Sequence, residues 1–184
     1  MAAENPLHQV NATDFEKIAL VIEKRVRKDC RSHKWFQKGS KVLLINDDST
    51  EYHVEKAILQ SILKEMPLTI EEKKVGIGWE KDLLILAKDY DRVVIPKDMD
   101  DEILGFFEAL FFNKQVENIP EDKIITILGN VSDAEVIAYA KAKNLPLKGG
   151  NKDSLAEKLD QFEQRYPGIK FSIKKSIEEL RKEE

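Results

Sequence analysis

The stretch Lys41-Val42-Leu43-Leu44-Ile45-Asn46-Asp47-Asp48-Ser49-Thr50 carries the strongest architectural signal in the chain. A short aliphatic run with no polar alternation marks a strand buried on both faces. The Asn, Asp, Ser and Thr that follow are turn formers and helix caps. After them Val54, Ala57, Ile58, Ser61 and Ile62 recur at helical spacing, and Pro67 ends the segment. Leu68 to Val75 predicts a second strand, broken by Gly76-Ile77-Gly78.

The same alternation continues downstream. Trp79 to Tyr90 predicts a helix, and Arg92 to Ile95 a short buried strand stopped by Pro96. Asp98 caps a helix with a wide apolar face built from Met99, Ile103, Phe106, Phe107, Leu110 and Phe111. Lys123 to Leu128 predicts another short strand. Ser132-Asp133-Ala134-Glu135 is a capping box that opens a helix through Lys143. Further helices are expected from Asn151 or Asp153 to about Arg165, and from roughly Lys174 to the end. Upstream, Thr13-Asp14-Phe15-Glu16 is a capping box ahead of an apolar stripe, Phe15, Ile18, Ala19, Ile22 and Val26, running to about His33.

Strands that alternate with helices predict an α/β fold. It has three layers and is doubly wound, a mostly parallel sheet with helices on both faces plus N- and C-terminal helices. Residues 1–12 read as a tail and 13–184 as one domain. Within it, 13–38 is an N-terminal helix, 39–130 the sheet core and 131–184 a C-terminal helical part. Ligands in such folds bind beyond the strand C-termini. That singles out the loops 46–51 and 96–102.

Composition narrows the class. The chain has 184 residues with 42% hydrophobic and 35% charged, enough for one core under a dense ionic surface. No apolar run approaches the ~18–20 residues that span a bilayer, and Met1 to Gln9 lacks the pattern of a secretory signal. A single cysteine, Cys30, makes neither an internal disulfide nor a cysteine metal site alone, and points to a reducing cytoplasm. The net charge of −4 excludes a uniformly basic nucleic-acid binder but leaves room for a local basic patch.

Several segments resemble a known family. Glu135-Val136 through Tyr139-Ala140, then Leu145-Pro146, then Tyr166-Pro167-Gly168-Ile169-Lys170-Phe171-Ser172 are similar to E-V-x-x-Y-A, Leu/Ile-Pro and Y-P-G-x-K-F-S in the TtcA/TtuA-type tRNA 2-thiolation group of the PP-loop ATP pyrophosphatases. Lys38-Gly39-Ser40-Lys41-Val42-Leu43 resembles that group's K-G-D-x-V-L-V, and Asp98-Met99-Asp100-Asp101-Glu102 stands where it has T-G-H-N-x-D-D-E. The resemblance covers the chain from about residue 15 and implies a PP-loop (HUP-like) fold.

The departures from the family are chemical. Its phosphate loop, S-G-G-K-D-S, is here Asp47-Asp48-Ser49-Thr50-Glu51-Tyr52, with neither glycine nor lysine. At ~4 Å and an effective dielectric near 20, each carboxylate–phosphate pair costs on the order of 4 kcal/mol unless a cation bridges it. The family's cysteine after Leu/Ile-Pro is replaced by Lys148-Gly149-Gly150-Asn151. The resemblance therefore implies a degenerate paralogue, akin to the related non-catalytic subunit that accompanies the eukaryotic wobble-uridine thiolase. The expected partners are a catalytic thiolase chain or a second copy, and tRNA, but neither membrane nor DNA. The alternatives are an ATP-dependent tRNA-adenylating sulfurtransferase with Mg²⁺ held by Asp47, Asp48 and Asp101, or a nucleotide-binding module without turnover. The expected cofactor is none, or ATP with Mg²⁺, with no iron–sulfur cluster.

The degenerate nucleotide site implied by the resemblance comprises Asp47, Asp48, Ser49, Thr50, Asp98, Asp100 and Asp101. As bare residues, these acids read as helix caps on a solvated rim, with a divalent-metal site as the alternative; no metal ligand and no catalytic residue is assigned. The implied RNA-binding set is Arg25, Arg27, Lys28, Arg31, Lys34 and Trp35. Such a run suits phosphates and base stacking, and equally a solvated helix end with an aromatic staple. Gly149-Gly150-Asn151-Lys152-Asp153-Ser154 reads as an ordinary loop, since no strand precedes it. Lys170, Lys174, Lys175, Arg181 and Lys182, diluted by nearby glutamates, read as a solvated face. Phe106, Phe107, Phe111 and Phe112 read mostly as core, in part as a partner surface. His8, His33 and His53 form no catalytic constellation, and Cys30 reads as an inert thiol.

Overall fold

A computed structural model describes residues 12–64, 66–112, 123–148 and 154–183. The tail expected over 1–12 lies outside them except for Ala12, which opens the first helix. Four strands form one parallel sheet in the order β2-β1-β3-β4: β1 Lys41–Asn46, β2 Thr69–Lys74, β3 Arg92–Val94 and β4 Ile124–Ile125. Among the described residues seven α-helices accompany them: α1 Ala12–Ser32, α2 Thr50–Leu63, α3 Leu83–Leu86, α4 Met99–Phe112, α5 Asp133–Ala142, α6 Ser154–Arg165 and α7 Ile169–Glu183. The expected α/β architecture is the observed one.

β1 is the spine. Its side chains alternate between two cores, as a strand must. Val42 and Leu44 pack with Ile22 and Val26 of α1, Ile58 of α2, and Val136 and Tyr139 of α5. Leu43 and Ile45 face the other side, against Leu83, Ala87 and Val93. Each such aliphatic side chain contributes roughly 1.5–3 kcal/mol on full burial, which is why the aliphatic run at 42–45 was legible. A third, smaller cluster joins α4 to the C-terminal helices through Met99, Ile103, Leu159 and Ile177.

Three local expectations are corrected. The helix expected over 79–90 is broken into a 3₁₀ turn at Trp79–Asp82, the single turn α3, and a second 3₁₀ turn at Ala87–Asp89. Its apolar residues are contiguous rather than spaced: Leu83 and Ala87 are buried while Ile85 faces solvent. The strand expected over 123–128 is two residues long. Past Ile125 the backbone turns: the Gly129 amide donates to the Thr126 carbonyl and the Val131 amide to that of Leu128. The last helix begins at Ile169, five residues before the expected Lys174. Gly168 makes the turn at φ 87°, and the Glu163 carboxylate of α6 accepts the amides of Gly168 (2.8 Å) and Lys170 (3.1 Å).

α7 also overturns the solvated reading for two of its lysines, while Lys175 and Arg181 are exposed as expected. Lys170 and Lys174 are buried, on the face that carries Ile177. Lys170 donates to Asp100 on α4 and to Asp160 on α6, and Lys174 pairs with Glu102. Burial pulls Lys170 down, but its two carboxylate partners outweigh that and raise it. The C-terminal helices are thus held to α4 by ions as much as by apolar contact.

Phe106 and Phe107 are half-buried against the third cluster, whereas Leu110 and Phe111 are exposed. No helix among the described residues is long and apolar enough to cross a membrane.

Candidate functional site

The chain leaves β1 toward β2 on one side and leaves β3 toward β4 on the other, so the strand order reverses between neighbours β1 and β3. The crevice beyond the strand ends at such a reversal is where this class of sheet binds its ligands. The loop after β1 closes on itself. The Asp48 amide donates to Asn46 Oδ1 and the Ser49 amide to Asp47 Oδ1, both at 3.0 Å. Asp48 sits at φ 66°, a conformation that short polar side chains tolerate. Ser49 is the N-cap of α2, its Oγ accepting from the Tyr52 amide at 3.1 Å. The amides of Asp48, Ser49 and Tyr52 are therefore already used by side chains.

Beyond this loop the crevice is acidic. Glu51 of α2, Asp98 at the start of α4 and Asp133 of α5 each bring a carboxylate oxygen within 4.8 Å of the others. Asp98 is buried, and it clasps Asp101 in both directions: its amide donates to Asp101 Oδ2 (3.1 Å) and its Oδ1 accepts from the Asp101 amide (3.0 Å). One turn after Glu51 stands Glu55, 0% exposed, with neither carboxylate oxygen hydrogen-bonded among the described residues. Burial, then the charges of Asp47, Glu51 and Asp98, push the Glu55 carboxyl well above the usual range. Burial, then Asp101 and Asp100, push Asp98 up to about 9. Burial and Asp101 also raise Glu51.

The structure sorts the residues expected for a nucleotide site. Asp47, Ser49, Asp98 and Asp101 do converge on the crevice. Asp48 turns outward to Lys148 (2.9 Å) and His53 (3.4 Å). Thr50 is buried and ties α2 to the segment before α6: its Oγ1 accepts from the Lys148 amide at 2.8 Å. Asp100 points to the other side of α4, where it meets Lys170. Glu55 was not singled out, Glu51 only as part of the loop replacing S-G-G-K-D-S, and Asp133 only as part of a capping box. The spacing of Glu51 and Glu55 by one helical turn directly after a buried strand was the available signal.

The residues expected to hold RNA separate likewise. Arg25 grips Glu135 with two hydrogen bonds (2.9 and 3.0 Å), donates to the Asn130 carbonyl (2.8 Å) and lies 5.5 Å over the Phe171 ring. It is a clamp between α1 and α5. Arg25→Ala is therefore expected to destabilise the fold by about 1–2 kcal/mol, since charged hydrogen bonds contribute most of what is lost. Urea melts test this; an unchanged midpoint would contradict the clamp. Arg27 donates to Ser61 Oγ at 2.6 Å. Trp35 packs on the main core and stacks with His33 at 5.0 Å. Lys28 is exposed. Arg27, Arg31 and Lys34 rim a cleft of about 510 Å³ floored by Phe36, Ile62 and Met66. Cys30 lies in its wall, and burial beside Asp29 pushes its thiol up to about 12.

No family model matches the chain, and neither does any curated protein. Among solved structures, the U34-tRNA thiolase NcsA from Methanococcus maripaludis, with its [4Fe-4S] cluster, is similar. The TM-score is 0.71 at 15% identity, covering 90% of this chain and 79% of that one. At this identity the likeness establishes the fold. It also corrects the cofactor expectation of ATP with Mg²⁺ or nothing, and no iron–sulfur cluster: the similar structure carries a [4Fe-4S] cluster. The residues here do not fit such a cluster, because the single cysteine is buried on α1 with a thiol held protonated.

Proposed function

We propose that this chain is a non-catalytic PP-loop-like subunit, or tRNA-binding partner, in tRNA 2-thiouridine modification in the cytoplasm. One observation carries the reading. In the loop after β1 the Asp48 and Ser49 amides are taken by Asn46 and Asp47, and the carboxyl groups of Glu51, Asp98 and Asp133, rather than lysines, stand beside it. Such a loop repels a polyphosphate. The likeness to a U34-tRNA thiolase in fold supports the pathway, and the lack of a cysteine set supports a role beside the chemistry. The cleft rimmed by Arg27, Arg31 and Lys34 supplies a surface for RNA phosphates, with an apolar floor for a base. Leu110 and Phe111, exposed at the end of α4, supply a surface for the catalytic chain.

The test has two parts. Fluorescence anisotropy with labelled tRNA is expected to show salt-sensitive binding. Arg31→Ala combined with Lys34→Ala should weaken it roughly tenfold and lower the salt slope by about 1–2. Size-exclusion chromatography with a chain that carries an intact S-G-G-K-D-S loop is expected to give a stable complex. Absence of both tRNA binding and a complex would sink the proposal. Release of AMP by the chain alone, dependent on tRNA, would make it an enzyme.

A further inference from the structure

We infer that the acidic crevice binds one hard divalent cation through Glu51, Asp98 and Asp133, with the Glu55 carboxylate behind them as a further oxygen donor. This goes beyond the role in tRNA modification and does not depend on it.

First-turn acids alone would not justify a site. Glu51, Asp98 and Asp133 all lie at or near helix starts, where carboxylates are favoured without any ligand. Glu55 is different. It stands well inside α2, is fully buried, and has no hydrogen-bond donor among the described residues. Its electrostatic neighbours are all carboxylates: Asp47, Glu51 and Asp98. Helix capping does not account for a glutamate there, and a leucine would fill the space at less cost. A bound cation would give the buried Glu55 oxygens the partner they lack.

The geometry sets the kind of ion. Carboxylate oxygens favour hard cations over those that prefer nitrogen or sulfur. The three ligand atoms lie within 4.8 Å of one another, about twice the ~2.4 Å of a Ca²⁺–oxygen bond. The donors come from α2, α4 and α5, so an ion there would tie three elements from both sides of β1 into one centre.

The probe is Mn²⁺, whose free six-line paramagnetic resonance signal disappears on binding. One Mn²⁺ per chain is expected, displaced by Ca²⁺. Amide resonances of Ser49, Asp98 and Ser132 should broaden before others in the unaltered protein, which locates the ion without any substitution. Asp133→Asn and Glu55→Gln should each weaken binding at least tenfold, and Glu71→Gln on the outer strand should not change it. The inference is overturned if the unaltered chain binds no Mn²⁺ saturably below about 1 mM, or if the broadening centres elsewhere. It is equally overturned if folded Asp133→Asn and Glu55→Gln bind as tightly as the unaltered chain.

Discussion

Lys170→Met is expected to destabilise the protein by about 3–5 kcal/mol, the usual loss when one partner of a buried ion pair is removed. Lys170 is 3% exposed and Asp100 6%. Together with Asp160 they form a three-member cluster that joins α4, α6 and α7. Removing the ammonium strands the Asp100 carboxylate, whose other oxygen already has no partner among the described residues. The loss should therefore come from the stranded charge rather than from the missing attraction. Two variants separate these. Lys170→Met combined with Asp100→Leu should recover most of the stability, because a buried pair replaced by apolar groups of similar size is close to neutral. Urea denaturation of the single and double variants checks this. If the double variant is as unstable as the single one, packing rather than charge holds α7 in place.

Stability should also fall as pH rises from about 6 to 9 in chelator-treated protein. Asp98 is raised from an ordinary carboxylate value to about 9, chiefly by burial. An acid raised in the folded state contributes stability that is fully present below its unfolded pKa and lost as pH rises through its folded one. In that window the native state holds an extra proton, so each such group lowers stability by up to ~1.4 kcal/mol per pH unit. Glu55 acts in the same direction. Opposing them, Glu71 is lowered by hydrogen bonds from Tyr90 and Lys41, and Asp48 by Lys148; these contributions are present at neutral pH and lost in acid. The optimum should thus be mildly acidic. Glu55→Gln should flatten the alkaline slope and add about 1–3 kcal/mol at pH 8.5, since a glutamine stays neutral in the buried site without having to hold a proton. Denaturation midpoints at pH 5.5, 7 and 8.5 decide it. A midpoint that climbs steadily with pH would contradict the protonated crevice.

The parts of the fold that were legible are those whose signal is local. The aliphatic run at 42–45 buries itself on both faces whatever lies elsewhere, and Ser132 with Glu135 caps α5 from within four residues. The place of the crevice followed from where the expected strands end, which singled out the loops 46–51 and 96–102. Its content did not. Glu51, Glu55, Asp98 and Asp133 meet only because three elements dock. α7 was read as starting late, and its inner face as solvated, because that face contains lysines. Their partners Asp100 and Glu102 lie 70 and 72 residues away in sequence. Arg25 stands in a basic run that reads equally as a phosphate track and as a solvated helix end. Its true partner, Glu135, is 110 residues distant. Charges whose partners are remote look solvated in a one-dimensional reading.

The two margins of the sheet bear on how another molecule could attach. β2 is almost wholly exposed and carries Glu71, Glu72, Lys73 and Lys74, while β4 offers only two residues. A guest strand laid along β2 would have to align with charges of both signs, and along β4 it would find too little length to hold it. A foreign strand, and the fibril growth that begins with one, therefore finds a poor template at the described borders of the sheet.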